Sequence, residues 1–73
     1  MNVKDYVFGE LKKMTKKSFD EDSVISTLGV DSLDLAMLVT ETESKFHITI
    51  NDDEIASLLT INDIISLLTK LIE

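Results

Sequence analysis

The chain has 73 residues, no Cys and a single His, so it offers neither a disulfide nor a thiolate or His cluster for a metal ion. Its net charge of −7 disfavours binding to nucleic acid or anionic lipid, whose phosphates must be neutralised, and favours basic protein partners. The length predicts a single domain over residues 1–73, and because the chain shows neither the ~20-residue apolar run of a membrane span nor a signal peptide, we expect it in the cytoplasm.

The first half of the chain predicts one helix followed by a long loop. Apolar residues recur at helical spacing over about residues 2–16, which predicts a first helix, and Phe8 falls off its apolar stripe. Residues 16–30 lack strong periodicity and predict a loop held by a few apolar anchors. Loops of this length in small domains are often functional.

Three more helices are predicted in the second half. A second helix should run over residues 32–46 with its apolar stripe ending at Phe46, and Asp31 or Ser32 can cap its start. A short third helix is predicted over residues 52–58, where acids at its start suit the helix dipole. A fourth should begin at Thr60 with a capping-box pattern. The chain is therefore predicted to be an all-α, four-helix bundle with a short third helix and a long first loop.

Ser32 is the most distinctive polar residue of the predicted fold. It follows a turn containing Gly29 and opens the second helix, where free N–H groups and the helix dipole favour an attached anion. A serine at this position is also typical of an ordinary helix cap. Leu33 and Met37 point away from the apolar stripe, so we predict that they are exposed beside Ser32. They indicate either a docking surface or two scattered surface residues.

Residues 29–34, Gly-Val-Asp-Ser-Leu-Asp, resemble the Gly-x-Asp-Ser-Leu motif of acyl carrier proteins, the phosphopantetheine-binding carriers of fatty acid and polyketide synthesis. The resemblance covers nearly the whole chain. It includes Phe46 at the end of the second helix, segments 48–54 and 60–65, and the apolar stripe of the first helix, Val3, Tyr6, Val7 and Leu11. It implies that the chain is not an enzyme and that Ser32 carries 4′-phosphopantetheine through a phosphodiester. The thiol of that cofactor would hold acyl groups as thioesters. Asp31, Leu33 and Asp34 would flank the attachment site.

The same resemblance implies a set of partners. They are a Mg²⁺-dependent phosphopantetheinyl transferase and acyl-processing enzymes with basic or apolar docking patches, which a monomer would visit in turn. Asp31 and Asp34 are assigned to transferase docking or to the approach of its metal ion. Leu33, Met37 and Glu41 form the candidate partner face, and we expect no catalytic residue and no metal site in the chain itself.

Two alternatives stay open from the sequence. Met37 stands where the family commonly has an acid, which suits an aminoacyl, peptidyl or polyketide carrier of a secondary pathway. A different class of protein, an acidic helical interaction domain without a cofactor, would share the same composition. If the core holds an acyl chain, its cavity should lie between the second helix and the last two, lined by Leu38, Val39, Ile55, Leu58 and Ile61.

Overall fold

A computed structural model describes residues 2–72 of the protein and confirms the all-α architecture. Within that range the four α-helices are α1 (Val3–Met14), α2 (Ser32–Phe46), α3 (Asp52–Ala56) and α4 (Ile61–Ile72). The long first loop is also confirmed, and it contains a 3₁₀ helix over Ile25–Leu28. Of the predicted domain, Met1 and Glu73 lie outside the described residues. No helix in the described part of the chain is long and apolar enough to cross a membrane.

Two helices end earlier than the sequence predicts. α1 ends at Met14 instead of residue 16, because Thr15 turns into extended backbone with φ −133° and ψ 147°. The Thr15 hydroxyl donates to the carbonyl of Leu28 at 2.7 Å, so the end of α1 is tied to the 3₁₀ helix. α3 ends at Ala56 instead of residue 58, where Ser57 caps the helix and its hydroxyl donates to a carbonyl of the last turn. The bond of Ser57 is local and competes with helix continuation, whereas the bond of Thr15 reaches across to another element.

The predicted capping box at the start of α4 is confirmed. The Asp63 carboxylate accepts the N–H groups of Thr60 at 2.9 Å and Leu59 at 3.0 Å, and the Thr60 hydroxyl accepts the N–H of Asp63 at 3.2 Å. These bonds satisfy N–H groups that a helix start leaves unpaired. The hydrogen bonds lower the pKa of Asp63 below its ordinary value of 3.8, because they favour the ionised carboxylate.

The first loop is docked along the start of α4. The N–H of Ile25 donates to the Leu59 carbonyl at 2.9 Å, and the N–H of Ile61 donates to the Ser23 carbonyl at 3.1 Å. Val24 and Thr60 form an isolated antiparallel bridge between these two bonds. The loop therefore approaches α2 along a fixed path, and its anchor Ile25 is buried in the core.

One polar pair lies inside the apolar core between α1 and α2. Thr42 is 1% exposed, and its hydroxyl donates to the Leu38 carbonyl at 2.7 Å. Since that bond uses the only hydroxyl proton of Thr42, the Tyr6 hydroxyl is the donor in the 3.1 Å bond between Tyr6 and Thr42. The Thr42 hydroxyl, a polar group among the apolar residues of α2, is thus hydrogen-bonded both within α2 and to Tyr6 of α1. The residues of the core that have no exposed surface are Val7, Leu11 and Ile61.

Two aromatic residues pack at the edge of the core. Phe46 ends the apolar stripe of α2 as predicted, but it is only half-buried and meets Tyr6 edge to face, with ring centroids 5.2 Å apart and planes at 88°. Phe8, which falls off the stripe of α1, is covered by Phe19 of the first loop at a centroid distance of 5.2 Å. Such aromatic pairs add to the stability that burial provides. The loop thus shields a residue that helical periodicity alone leaves exposed.

Candidate functional site

Ser32 is the first residue of α2, and its side chain is exposed. The chain reaches it through Gly29, whose φ of 73° lies in the left-handed region that favours glycine. Asp31 then caps the helix, since its carboxylate accepts the N–H of Leu33 at 3.1 Å and lies 3.5 Å from the Ser32 hydroxyl. The turn therefore presents the hydroxyl outward at the positive end of a helix of 15 residues.

The residues predicted as a partner face do lie together on the outer side of α2. Leu33 is 68% exposed and Met37 is 53% exposed. Single exposed apolar side chains are common on protein surfaces, but these two lie one turn apart and form a patch. With Glu41 they line one shallow depression of about 380 Å³. The apolar surface therefore begins next to Ser32 and continues along α2 for about one turn to Met37, and the charged Glu41 follows one turn later.

A second depression beside this face extends onto α1, which the sequence did not predict. It has a volume of about 200 Å³ and is lined from α1 by Glu10, Lys13 and Met14 and from α2 by Met37 and Glu41, among others. Lys13 pairs with Glu10 at 2.8 Å. That hydrogen bond, with a contribution from the charge of Glu41, raises the pKa of Lys13 and keeps it cationic. The only signal in the sequence was the helical spacing of these α1 residues.

A groove runs from Ser32 along the other side of α2. It has a volume of about 370 Å³ and is bounded by one stripe of α2 and by residues that follow it in the chain. At 1.5 Å per residue, the stripe from Ser32 to Glu43 extends about 16 Å. The far wall is formed by Ile50, Asp52 and Ile55. The groove is thus an open channel that begins at the predicted attachment point.

The core cavity predicted for an acyl chain is present but small. Its volume is about 20 Å³, which is room for about one water molecule. Three of the five residues predicted to line it, Leu38, Val39 and Leu58, do so. The other two assignments are wrong. Ile61 is fully buried in the core without lining this cavity, and Ile55 lines the groove beside α2 instead.

The site combines an exposed serine hydroxyl with surface depressions and a groove. In the part of the chain that the structure describes, no three His, Cys, Asp or Glu side chains gather as a metal site. Of the acidic residues that flank Ser32 in the chain, Asp31 is exposed and Asp34 is half-buried. The geometry therefore offers an accessible hydroxyl at a helix start, with an apolar face on one side and a groove on the other.

Comparison with known proteins identifies this arrangement. The family model described as "Phosphopantetheine attachment site" matches residues 5–68, which is most of the chain. The chain belongs to the phosphopantetheine-binding acyl carrier family. An acyl carrier protein homolog of Mycoplasmopsis pulmonis is 40% identical over 70 residues, covering 96% of this chain and 96% of the relative. The acyl carrier protein of Campylobacter concisus is 36% identical over 70 residues, covering 96% and 91%.

The fold agrees with this family. The crystal structure of an acyl carrier protein from Thermotoga maritima superposes with a TM-score of 0.77 at 26% sequence identity, covering 97% of this chain and 91% of the other. Members of the family are carriers and not enzymes, and they bear covalently attached 4′-phosphopantetheine. They work with phosphopantetheinyl transferases and acyl-processing enzymes, and fatty acid synthesis is their usual role. The reading as an interaction domain without a cofactor is thereby excluded.

The described residues fit the cofactor of this family. An exposed hydroxyl at a helix start can bear a phosphodiester, whose negative charge the helix dipole favours. The groove beside Ser32 mixes apolar and polar lining residues, which suits an arm that contains both amide and hydrocarbon groups. When bound, the cofactor supplies a thiol, a group that a chain without Cys cannot provide itself.

Proposed function

We propose that the Ser32 hydroxyl is the attachment point of 4′-phosphopantetheine, and that residues 1–73 form a single stand-alone acyl carrier domain acting as a monomer in the cytoplasm. The observation that carries the proposal is the exposed Ser32 at the first position of α2, inside the Gly29–Asp34 motif. Acyl groups would be held as thioesters for fatty acid synthesis or a related pathway.

Asp31 and Asp34 have distinct roles in this proposal. Asp31 caps α2 and fixes the turn, so it keeps the Ser32 hydroxyl at the helix start while a transferase acts on it. Asp34 lies one turn further along α2 and is half-buried. Both carboxylates lie close enough to Ser32 in the chain to draw the transferase and its Mg²⁺ toward the hydroxyl.

The partner face, Leu33, Met37 and Glu41, would receive the transferase and acyl-processing enzymes. Its two exposed apolar residues match an apolar patch on a partner, while Glu41 and the net charge of −7 match basic residues around that patch. The exposed Met37 favours a second candidate within the family, a carrier of polyketide, aminoacyl or peptidyl intermediates, because such a surface relies less on charge.

Attachment to Ser32 is tested by intact-mass measurement after incubation with coenzyme A, Mg²⁺ and a phosphopantetheinyl transferase. We expect one adduct with the mass of one phosphopantetheinyl group on the wild-type chain. The Ser32→Ala variant should gain none, whereas Ser26→Ala, at an exposed serine in the 3₁₀ helix, should be modified like wild type. An adduct that persists in Ser32→Ala would refute the assignment.

A further inference from the structure

A thin layer of apolar side chains separates the groove from the core cavity. Leu35, Val39 and Ile50 line both hollows, so these three residues, here called the wall, stand between them. The core cavity has a volume of about 20 Å³, whereas the groove has about 370 Å³. An apolar chain that starts at Ser32 can lie in the groove, but it reaches the core only if the wall moves.

Ile50 differs from the other members of the wall because it lies outside the helices. Leu35 and Val39 are held by the backbone of α2, while Ile50 lies in the segment of residues 47–51 that joins α2 to α3. Its side chain is nevertheless buried, at 8% exposure. A residue in a connecting segment moves more readily than one inside a 15-residue helix, so Ile50 is the member that can open the wall.

Glu43 fastens this segment to α2. Its backbone carbonyl accepts the N–H of His47, which caps the helix in a left-handed conformation, and the N–H of Ile48 at 3.2 Å. Its carboxylate accepts the N–H of Ile50 at 2.8 Å. Hydrogen bonds to an ionised acceptor are roughly twice as strong as neutral ones. The same Glu43 side chain lies at the end of the groove that begins at Ser32.

We propose that Glu43 is a specificity-determining residue that controls access from the groove to the core. Its carboxylate holds Ile50 in the closed position, so a long apolar acyl chain enters the core only by breaking this bond. Short or polar acyl groups stay in the groove, where Thr40, Glu43 and Asp52 provide polar lining. This inference rests on the proposed function, because the acyl chain is delivered from Ser32.

The first test measures the bond itself in the unloaded protein. Amide hydrogen exchange at Ile50 should be at least about tenfold faster in Glu43→Ala, since loss of a bond to a charged group exceeds the free energy of a tenfold change. Glu43→Gln keeps an acceptor oxygen and should give a smaller increase. Asp53→Asn removes one carboxylate from an exposed position of α3 and should leave Ile50 unchanged. Unchanged exchange in Glu43→Ala would overturn the proposal.

The second test measures specificity. Wild type and variants are loaded with butanoyl, octanoyl and dodecanoyl groups, and the rise in thermal midpoint over each unloaded form is compared. Glu43→Ala should gain more than wild type from the two longer chains and equally from butanoyl. The same length profile in both proteins would mean that Glu43 is only structural. If Glu43→Ala does not fold, Glu43→Gln carries both tests. If the wild-type chain cannot be loaded with acyl groups, the proposed function is refuted instead. Amide exchange at Ile50 still tests whether Glu43 holds this residue, because that measurement uses the unloaded protein.

Discussion

At the scale of single residues, position distinguishes Ser32 from the other serines of the chain. Among the described residues its hydroxyl has one side-chain partner, the Asp31 carboxylate at 3.5 Å, and the same carboxylate oxygen caps α2 by accepting the N–H of Leu33. The hydroxyl is exposed at a helix start, where a transferase can reach it and where a phosphodiester is electrostatically favoured. The reactive groups therefore come from the cofactor and from the partner enzymes.

Met37 and Glu41 allow apolar and electrostatic docking to be separated. An apolar anchor at an interface mainly sets the dissociation rate, while charged residues at its rim mainly set the association rate. Met37→Ala should therefore accelerate dissociation from an acyl-processing partner by about tenfold, as expected for loss of a moderate hot spot. Glu41→Gln should slow association and flatten its dependence on salt. Surface binding kinetics at two salt concentrations measure both.

The opposite pattern would contradict the apolar role of Met37. If Met37→Ala leaves dissociation unchanged while Glu41→Gln abolishes binding at low salt, docking on this face is electrostatic. Leu59→Ala is a suitable control, because Leu59 is equally exposed, at 61%, but does not line the depression beside Ser32. It should change neither rate.

Among the helices and loops, the sequence predicted those features that depend on interactions between residues close together in the chain. The helices and their starts followed from apolar periodicity and from caps within a few residues, as at Asp31 and Asp63. The early ends of α1 and α3 were not predicted. The Thr15 hydroxyl donates to a carbonyl of the distant 3₁₀ helix, and the Ser57 hydroxyl donates to a carbonyl in the last turn of α3. Helix ends decided by such bonds leave no periodic signal.

The candidate site was likewise predicted only in those features that depend on local sequence. The exposure of Ser32, Leu33 and Met37 followed from motif and helical phase. The bond from Ile50 to Glu43 and the α1 side of the second depression were not predicted, because they depend on how separate elements meet in space and leave no periodic pattern in the sequence. The cavity assignment failed for Ile61 for a related reason, since a stripe shows which residues face inward but not which of them border a void.

The capping box of α4 predicts a specific dependence on pH. The pKa of Asp63 is lowered from 3.8 in the folded state, so its ionisation stabilises the fold above that value and the contribution is lost as pH falls through the lower, folded-state pKa. Asp63→Ala should therefore lower the thermal midpoint at pH 7, and the difference from wild type should shrink below about pH 4. Thermal unfolding followed by circular dichroism across this range measures it.

Asp22→Ala is the matched control for the loss of one acid, because Asp22 is exposed in the first loop and lies outside the helices. A difference between wild type and Asp63→Ala that stays constant from pH 7 to about pH 2 would contradict the assignment, since the carboxylate then contributes nothing through its charge. It would mean that only the packing of the Asp63 side chain matters.

At the scale of the whole molecule, the charge is large for the size. A net charge of −7 lies within a body of 29 × 24 × 18 Å. At about 10 mM salt the screening length is ~30 Å, so every charge acts on every other, whereas at physiological salt it is ~8 Å and opposite sides of the molecule are independent. The fold therefore carries a repulsion that salt relieves.

Thermal stability should accordingly rise with salt. The midpoint of unfolding should increase between about 10 mM and 150 mM NaCl and with millimolar Mg²⁺, without loss of helical signal. Asp22→Lys, at an exposed position of the first loop, reduces the negative charge by two units. It should unfold at a higher temperature than wild type at low salt and respond less to added salt. A midpoint that is flat or falls with salt in the wild-type protein would show that repulsion does not limit stability.

Tandem mass spectrometry of the loaded protein shows whether the chain carries acyl groups through a cofactor on Ser32. The wild-type chain is pantetheinylated, acylated and digested, and the modified peptide is sequenced before and after hydroxylamine, which cleaves thioesters. We predict an acyl-phosphopantetheinyl group on Ser32 that loses only its acyl part in hydroxylamine and leaves the phosphodiester in place. A modification mapped to another residue, or an acyl group that resists hydroxylamine, would contradict the account.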